Sequence, residues 1–376
     1  MNIGITCYPT YGGSGAIAAE LGQALARKGH RVHFVSYSIP FRLQEYSQNI
    51  SFHNVEVMPY PLFKYPPYTL ALAAKMADVA SEAELDILHV HYAVPHATCA
   101  FLARHMLRDR DVKVITTLHG TDITLVGSDK SFYRITRFSI EESQGVTAVS
   151  ESLKRDTLSL FDIEKDIRVI PNFVDVDRFR RGDGHCDISN FVDDDEKVIA
   201  HVSNFRPVKR IGDIIRMYAE VRREVKCKLL LVGEGPERIP MQELVRELGL
   251  QDGVVFMGEQ EGVDRILSCS DLYLLPSEQE SFGLSALEAM SCGVPVIGAN
   301  AGGLPELVRH GETGYITEVG DIRQMARHAT DLLANDGLRE EVGRQARQRV
   351  LDNFAEEAVV PHYEAYYEEV LRGQAP

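Results

Sequence analysis

The sequence has no cysteine pair spaced C-x-x-C, no low-complexity tract, no excess of positive charge and no run of about 18 apolar residues. Each absence removes a class of protein. The six cysteines, Cys7, Cys99, Cys186, Cys227, Cys269 and Cys292, are scattered, so neither a thiolate zinc site nor a disulfide framework is expected, and buried reduced thiols are the plain reading. The N-terminus lacks a basic, apolar leader, so neither a secretory signal nor a membrane span is expected and the chain reads as cytoplasmic. A formal charge of −15 argues against a broad electrostatic grip on nucleic acid or on an anionic membrane. Any anion bound here must meet a local basic pocket.

What is present is a globular composition, 44% hydrophobic and 25% charged, in 376 residues, enough for two ordinary domains. Short apolar runs at 3–7, 32–37, 55–58, 87–90, 112–118, 146–149 and 167–170 alternate with helical stretches such as 16–28 and 68–84. Such runs predict strands buried on both faces of a parallel sheet. After an acidic stretch at 181–196 a second series begins, KVIAHVS, CKLLLVG, GVVFMG, DLYLLP and VPVIGA, followed by helical segments at 321–351 and 355–371. The expected fold is α/β, two Rossmann-like domains facing each other across a cleft. The boundary is expected near PNFVD at 171–175, and the ligand cleft between the two sheets.

The first predicted strand runs into Tyr11, Gly12, Gly13, Ser14 and Gly15 ahead of a helix. Free backbone N–H groups at that helix start suit an anion or a sugar diphosphate. Gly13, Gly15 and Ala18 also satisfy G-x-G-x-x-A, the dinucleotide fingerprint, although the second strand ends in Val35-Ser36-Tyr37-Ser38 without the acid that a nicotinamide site needs. A third reading is a tight turn and nothing more. The loop alone leaves all three open.

In the second half, Asn204, Arg206, Lys209 and Arg210 follow KVIAHVS and place cations at a strand's end, where Arg206 can grip phosphate bidentately and Lys209 adds a compact charge. The most informative segment is PSEQESFGLSALEAM. Gly283 permits close approach of a diphosphate, the N–H groups from Phe282 to Leu284 open a helix, and Glu280 and Glu288 can both point to one side. Carboxylates there suit sugar hydroxyls.

Glu280 and Glu288 resemble the E-x7-E motif of glycosyltransferase family 4, of the GT-B fold class. GGSG, LHGTD, VIPNFVD, LLLVGEGPE, VVFMG, ESFGLSALEAM and GVPVIGANAGGLPELV resemble that family's segments in its order. The resemblance implies an acceptor domain at 1–171 completed by a C-terminal helix at about 355–376, and a nucleotide-sugar domain at 172–354. It implies that Glu280 contacts the transferred sugar, Glu288 the ribose, Arg206 and Lys209 the diphosphate, backbone around Val255 to Gly258 the base, and His119 the sugar. Asn204 stands where many relatives carry a phosphate-binding arginine, a departure that shifts this role to Arg206.

The opening CYPTYGGSGAIAAELGQALARKGHRVHFVSYSIPFRL is most similar to the branch of that family that joins N-acetylglucosamine to L-malate in bacillithiol biosynthesis. The resemblance therefore implies UDP-N-acetylglucosamine and L-malate as substrates, retention at the anomeric carbon by front-face attack, and no required cofactor or metal. Ser14, Tyr92, Thr117 and Arg137 are the candidates for the acceptor. Asp193-Asp194-Asp195 contains D-x-D but precedes a strand and reads as a solvated linker. His89, His91 and His96 lack a matched carboxylate or thiolate set and read as core or cleft histidines rather than metal ligands. Another small acceptor such as an inositol phosphate, a nicotinamide oxidoreductase and a non-catalytic nucleotide-sugar binder are the alternatives. A homo-oligomer is left open.

Overall fold

The computed structural model describes the chain except residues 11, 44–46, 59, 108–109, 183–187, 189, 194 and 375–376. Tyr11, Cys186 and Asp194, singled out above, lie outside the described residues. The chain divides into two compact units, Met1–Asn172 with Val359–Pro376, and Phe173–Ala358.

The first unit is built on β1 (Asn2–Thr6), β2 (Arg31–Ser36), β3 (Ile50–Asn54), β4 (Ile87–His91), β5 (Lys113–Leu118), β6 (Gly145–Ala148) and β7 (Arg168–Val169). They pair in the order β3-β2-β1-β4-β5-β6-β7, all parallel. The second unit repeats the design with β8 (Lys197–Val202), β9 (Cys227–Val232), β10 (Val254–Gly258), β11 (Leu272–Leu275), β12 (Val296–Ala299) and β13 (Gly314–Thr317), in the order β10-β9-β8-β11-β12-β13. In each sheet the strand order reverses at one place, between β1 and β4 and between β8 and β11. Loops leaving those neighbours diverge to opposite sides, and the crevice they open at the carboxyl ends is where such sheets bind ligands.

Apolar strands account for most of this. β4 and β6 are buried at every position, as are β11 and β12. The strand expected at 55–58 instead lies at Ile50–Asn54. It is an edge strand of composition ISFHN whose residues are half-buried or exposed, registered as Val32 to Ile50 through Ser36 to Asn54, so it carries no continuous apolar run. Only Val55 of the expected segment is buried, while Met58 is exposed. β13, another edge strand, was not expected from the sequence either.

The helix Glu356–Leu371 completes the first unit from the far end of the chain. Tyr363, Tyr366 and Tyr367 are buried. The Tyr366 hydroxyl accepts from Val146 N at 2.9 Å, and a Cβ on Gly145 would stand 3.0 Å from the Tyr366 ring, so the helix seats directly on β6. Cys7, Cys99, Cys227 and Cys292 are free and buried as expected, but Cys269 is disulfide-bonded. That corrects the reading of all six cysteines as reduced.

Candidate active site

In the second unit, the loop after β8 is pinned by Phe205, fully buried in the core and edge-on to Phe256. Glu237 N donates to Phe205 O at 2.9 Å. With Phe205 turned inward, Asn204 and Arg206 on either side are exposed. A single turn of 3-10 helix, Pro207–Lys209, then carries Lys209 back over the sheet edge.

The loop after β11 arrives from the other side of the reversal. Glu278 N donates to Val208 O at 2.8 Å, and Lys209 Nζ meets Glu280 Oε2 at 2.7 Å with both side chains mostly buried. The two residues assigned to diphosphate and sugar therefore bridge the switch point of this sheet. Glu280 is held by its main chain: Gly303 N donates to Glu280 O at 2.8 Å, and a Cβ on Gly302, whose φ is 56°, would stand 1.9 Å from that same oxygen.

Gly283 has a φ of 95° and caps the helix Leu284–Ser291 without a side-chain hydrogen bond, which leaves the first N–H groups of that helix for another acceptor. Phe282 is buried edge-on to Phe354. Glu288 is buried on the second turn. The Tyr273 phenol is raised by burial first, and then by the charges of Glu288 and Glu280, so both carboxylates act on one spot under the site. Val255 and Gly258 lie on the edge strand β10, with Gly258 O accepting from Gly233 N at 2.7 Å. His201, beneath Lys209, bonds Leu274 O and Ser203 Oγ, each at 2.8 Å.

The first unit has a matching pair at its own reversal. Ser14, on the first turn of the helix Gly13–Arg27, donates from Oγ to the Tyr92 hydroxyl at 3.0 Å, joining the loops after β1 and β4. Gly15 is demanded by packing, since a Cβ there would stand 2.5 Å from Tyr8 O. Tyr92 has a φ of 87°, a conformation that costs a non-glycine residue about 1–3 kcal/mol and that clusters at functional sites. Tyr92 N donates to Thr117 O at 2.9 Å, and Asp122 locks both neighbouring loops by accepting from Ala93 N, His119 N and Gly120 N. Burial, and then the Asp122 charge, push the Tyr92 phenol up to about 12, so it stays a neutral donor.

Neither the Thr117 hydroxyl nor the Arg137 side chain bonds Ser14 or Tyr92. Thr117 is fully buried and its hydroxyl is already shared with His89 Nε2 and Thr147 Oγ1, each at 2.7 Å. Its connection to the site runs through its carbonyl to Tyr92 N. Arg137 lies on the helix Tyr133–Glu142 and pairs with Glu141 at 3.1 Å one turn on. His89, His91 and His119 stack in sequence, with centroid separations of 4.7 and 5.0 Å. Of the linker acids, Asp193 and Asp195 pair with the exposed Lys226.

Sequence reasoning gave no role to Asp122, Gly302 or His201. Asp122 could have been found from its place two residues after Gly120, and Gly302 from the paired glycines of GANAGG. His201 carries no local signal, because its role comes from bonds to Leu274 and Ser203 that only the folded sheet assembles.

Four buried imidazoles and the half-buried ring of His119 set a pH limit on the fold. Burial pushes His89 and His119 down to about 3, His96 and His201 down to about 4, and His91 well below its ordinary range. Unfolded, each binds a proton near pH 6.5, so the unfolded chain holds more protons below that value. The stability is present above pH 6.5 and is lost as the pH falls toward 4. Asp122, raised to about 6 by burial, moves the opposite way, gaining as the pH falls below 6, but it is one group against five histidines. The unfolding free energy measured in urea should fall by roughly 1 kcal/mol per pH unit for each such histidine below pH 6. A flat profile would contradict the neutral, buried assignment.

Residues 11–178 match the family model described as Glycosyltransferase Family 4, and residues 187–349 the one described as Glycosyl transferases group 1. The chain is 50% identical over 374 residues, covering 99% of itself and 98% of the relative, to a Bacillus anthracis N-acetyl-alpha-D-glucosaminyl L-malate synthase. Its fold superposes on a sucrose-phosphate synthase from Thermosynechococcus elongatus with a TM-score of 0.82 at 22% identity, covering 99% of each chain. It superposes on Anabaena HepE in complex with UDP-glucose with a TM-score of 0.79 at 20% identity, covering 98% of this chain and 100% of the other. Two parallel-sheet units of this kind are those of the GT-B glycosyltransferases, and the protein is a hexosyltransferase. The chain belongs to glycosyltransferase family 4.

Proposed function

We propose that this protein transfers N-acetylglucosamine from UDP-N-acetylglucosamine to L-malate with retention of anomeric configuration, the reaction that opens bacillithiol biosynthesis in the cytoplasm. The observation that carries the reading is 50% identity across 99% of the chain to the N-acetyl-alpha-D-glucosaminyl L-malate synthase. The donor lies at the second unit's switch point. Glu280 receives sugar hydroxyls, Glu288 the ribose and the β10 backbone from Val255 to Gly258 the base. The diphosphate takes the N–H groups from Phe282 to Leu284 together with Arg206 and Lys209, beside Asn204. In this reading these cations supply the charge that stabilises the leaving diphosphate, with no metal required.

Ser14 and Tyr92 receive L-malate, Gly13 and Gly15 are assigned to the donor, and His119 meets the sugar. Arg137 is the cation put forward for the acceptor's carboxylate. Tyr92→Phe should raise the KM for malate about tenfold, the size of one lost hydrogen bond to a charged group, and leave the donor KM unchanged. Arg137→Ala should raise it as well, and an unchanged malate KM would remove Arg137 from the acceptor site.

The deciding experiment incubates the protein with UDP-N-acetylglucosamine and a panel of hydroxy acids and inositol phosphates, reading UDP release and product mass. UDP release with malate and the mass of the malate glycoside are expected. No release with malate, or release only with another acceptor, would overturn the acceptor assignment. The nicotinamide alternative lacks its acid: β2 ends at Ser36, whose hydroxyl donates to Cys7 O at 3.2 Å.

A further inference from the structure

We infer that His91 is a positioning residue that fixes the tautomer of His119, so that His119 offers an N–H donor from Nδ1 to an oxygen of the ligand held at this edge. His91 ends β4 and is fully buried, and His119 follows β5 and is partly exposed. His91 Nδ1 and His119 Nε2 lie 2.8 Å apart. Between two neutral imidazoles one of these nitrogens carries the hydrogen and the other a lone pair.

The surroundings of His91 decide which. If His119 donated from Nε2, His91 would have to carry its hydrogen on its own Nε2, which is buried without a partner. A sealed N–H with no acceptor is the arrangement that folded proteins avoid, whereas a bare lone pair is tolerated more often. With His91 donating from Nδ1, its Nε2 is that lone pair. His96 makes the same choice in the same pocket. Its Nδ1 faces His91 O at 2.6 Å, a carbonyl that can only accept, so His96 Nδ1 carries the hydrogen and its buried Nε2 is left bare.

His119 then accepts at Nε2 and bears its hydrogen on Nδ1. That nitrogen has no partner among the described residues and is not sealed from solvent. Asp122 holds the His119 main chain, so the direction of the N–H is set as well as its presence. The chemistry this selects is an oxygen lone pair, such as that of a sugar hydroxyl or an acetamido carbonyl. The inference that a ligand uses the N–H rests on the proposed transfer, whereas the tautomer itself does not.

The test is a long-range proton–nitrogen spectrum of histidine-labelled, ligand-free protein near neutral pH, with His119 assigned by its loss in His119→Gln. His119 is expected as the Nδ1–H tautomer. In His91→Phe, which keeps the ring stack and removes the donor, His119 should shift toward the Nε2–H form and kcat should fall about tenfold, the size of one lost hydrogen bond. His91→Asn, whose amide nitrogen stands close to the position of Nδ1, should recover most of both. Finding Nε2–H in the unaltered protein overturns the proposal, as does equal activity of the Phe and Asn variants when both fold. If the variants fail to fold, the spectrum of the unaltered protein decides alone. A His119 tautomer as expected, with no transfer to malate, would fault the acceptor and leave this inference standing.

Discussion

Lys209→Ala should lower kcat by about a hundredfold or more. In the proposed reaction negative charge grows on the diphosphate as the glycosidic bond breaks, and a fixed cation stabilises the transition state more than the bound donor. Lys209 is suited to this because its side chain is only 20% exposed and already oriented by Glu280 at 2.7 Å. The variant loses that cation and also leaves the Glu280 carboxylate, 14% exposed, without its partner beside an incoming anion. Both losses act in the same direction. Lys209→Arg should retain part of the rate, since it keeps charge but not the compact reach of an ammonium. Steady-state kinetics with varied donor separate the outcomes: a normal kcat with only a raised KM would contradict the leaving-group role.

The second large effect is expected at Gly302→Ala. The added methyl would stand 1.9 Å from Glu280 O at a backbone φ of 56°, so the two loops cannot both stay in place. Relaxation must move Glu280 or the GANAGG loop by about an ångström, and displacement on that scale at a reacting centre costs on the order of a hundredfold in rate. Overpacking of this kind also destabilises by about 1–3 kcal/mol. The thermal midpoint and the donor kinetics are measured together. A variant with unchanged kcat and KM would show that Gly302 does not position Glu280. Gly29→Ala, at a φ of 90° but with open space around the added Cβ, controls for backbone strain alone.

Most of the proposed donor side lies in one segment of the sequence. Glu280, Gly283 and Glu288 are close along the chain, so strand, glycine and helix could be ordered without tertiary information. The proposed acceptor side was less legible because its parts come from different loops. Ser14 and Tyr92 are 78 residues apart and meet only because β1 and β4 are neighbours. Thr117 ends a strand at the right edge, yet its side chain points into the sheet's cover, where His89 and Thr147 bond it. Strand position alone cannot separate those two outcomes, since successive side chains leave opposite faces. Edge strands were misread for a related reason. Half of ISFHN faces away from the core, so the apolar signal fell on the residues after it.

The helix Glu356–Leu371 has a consequence for how the chain can be made. Tyr367 OH bonds His89 Nδ1 at 2.6 Å, so the first unit contains partners that leave the ribosome nearly 280 residues apart. Domains usually acquire structure in order of synthesis. Here the second unit, continuous from Phe173 to Ala358, is fully emerged before the first has its last helix. The first unit must therefore wait, with the faces of β4 and β6 uncovered, while its successor folds. Nascent chains arrested before Val359 should expose that apolar seat, and a chain cut between Asn172 and Phe173 should yield a first fragment that needs the final helix added back.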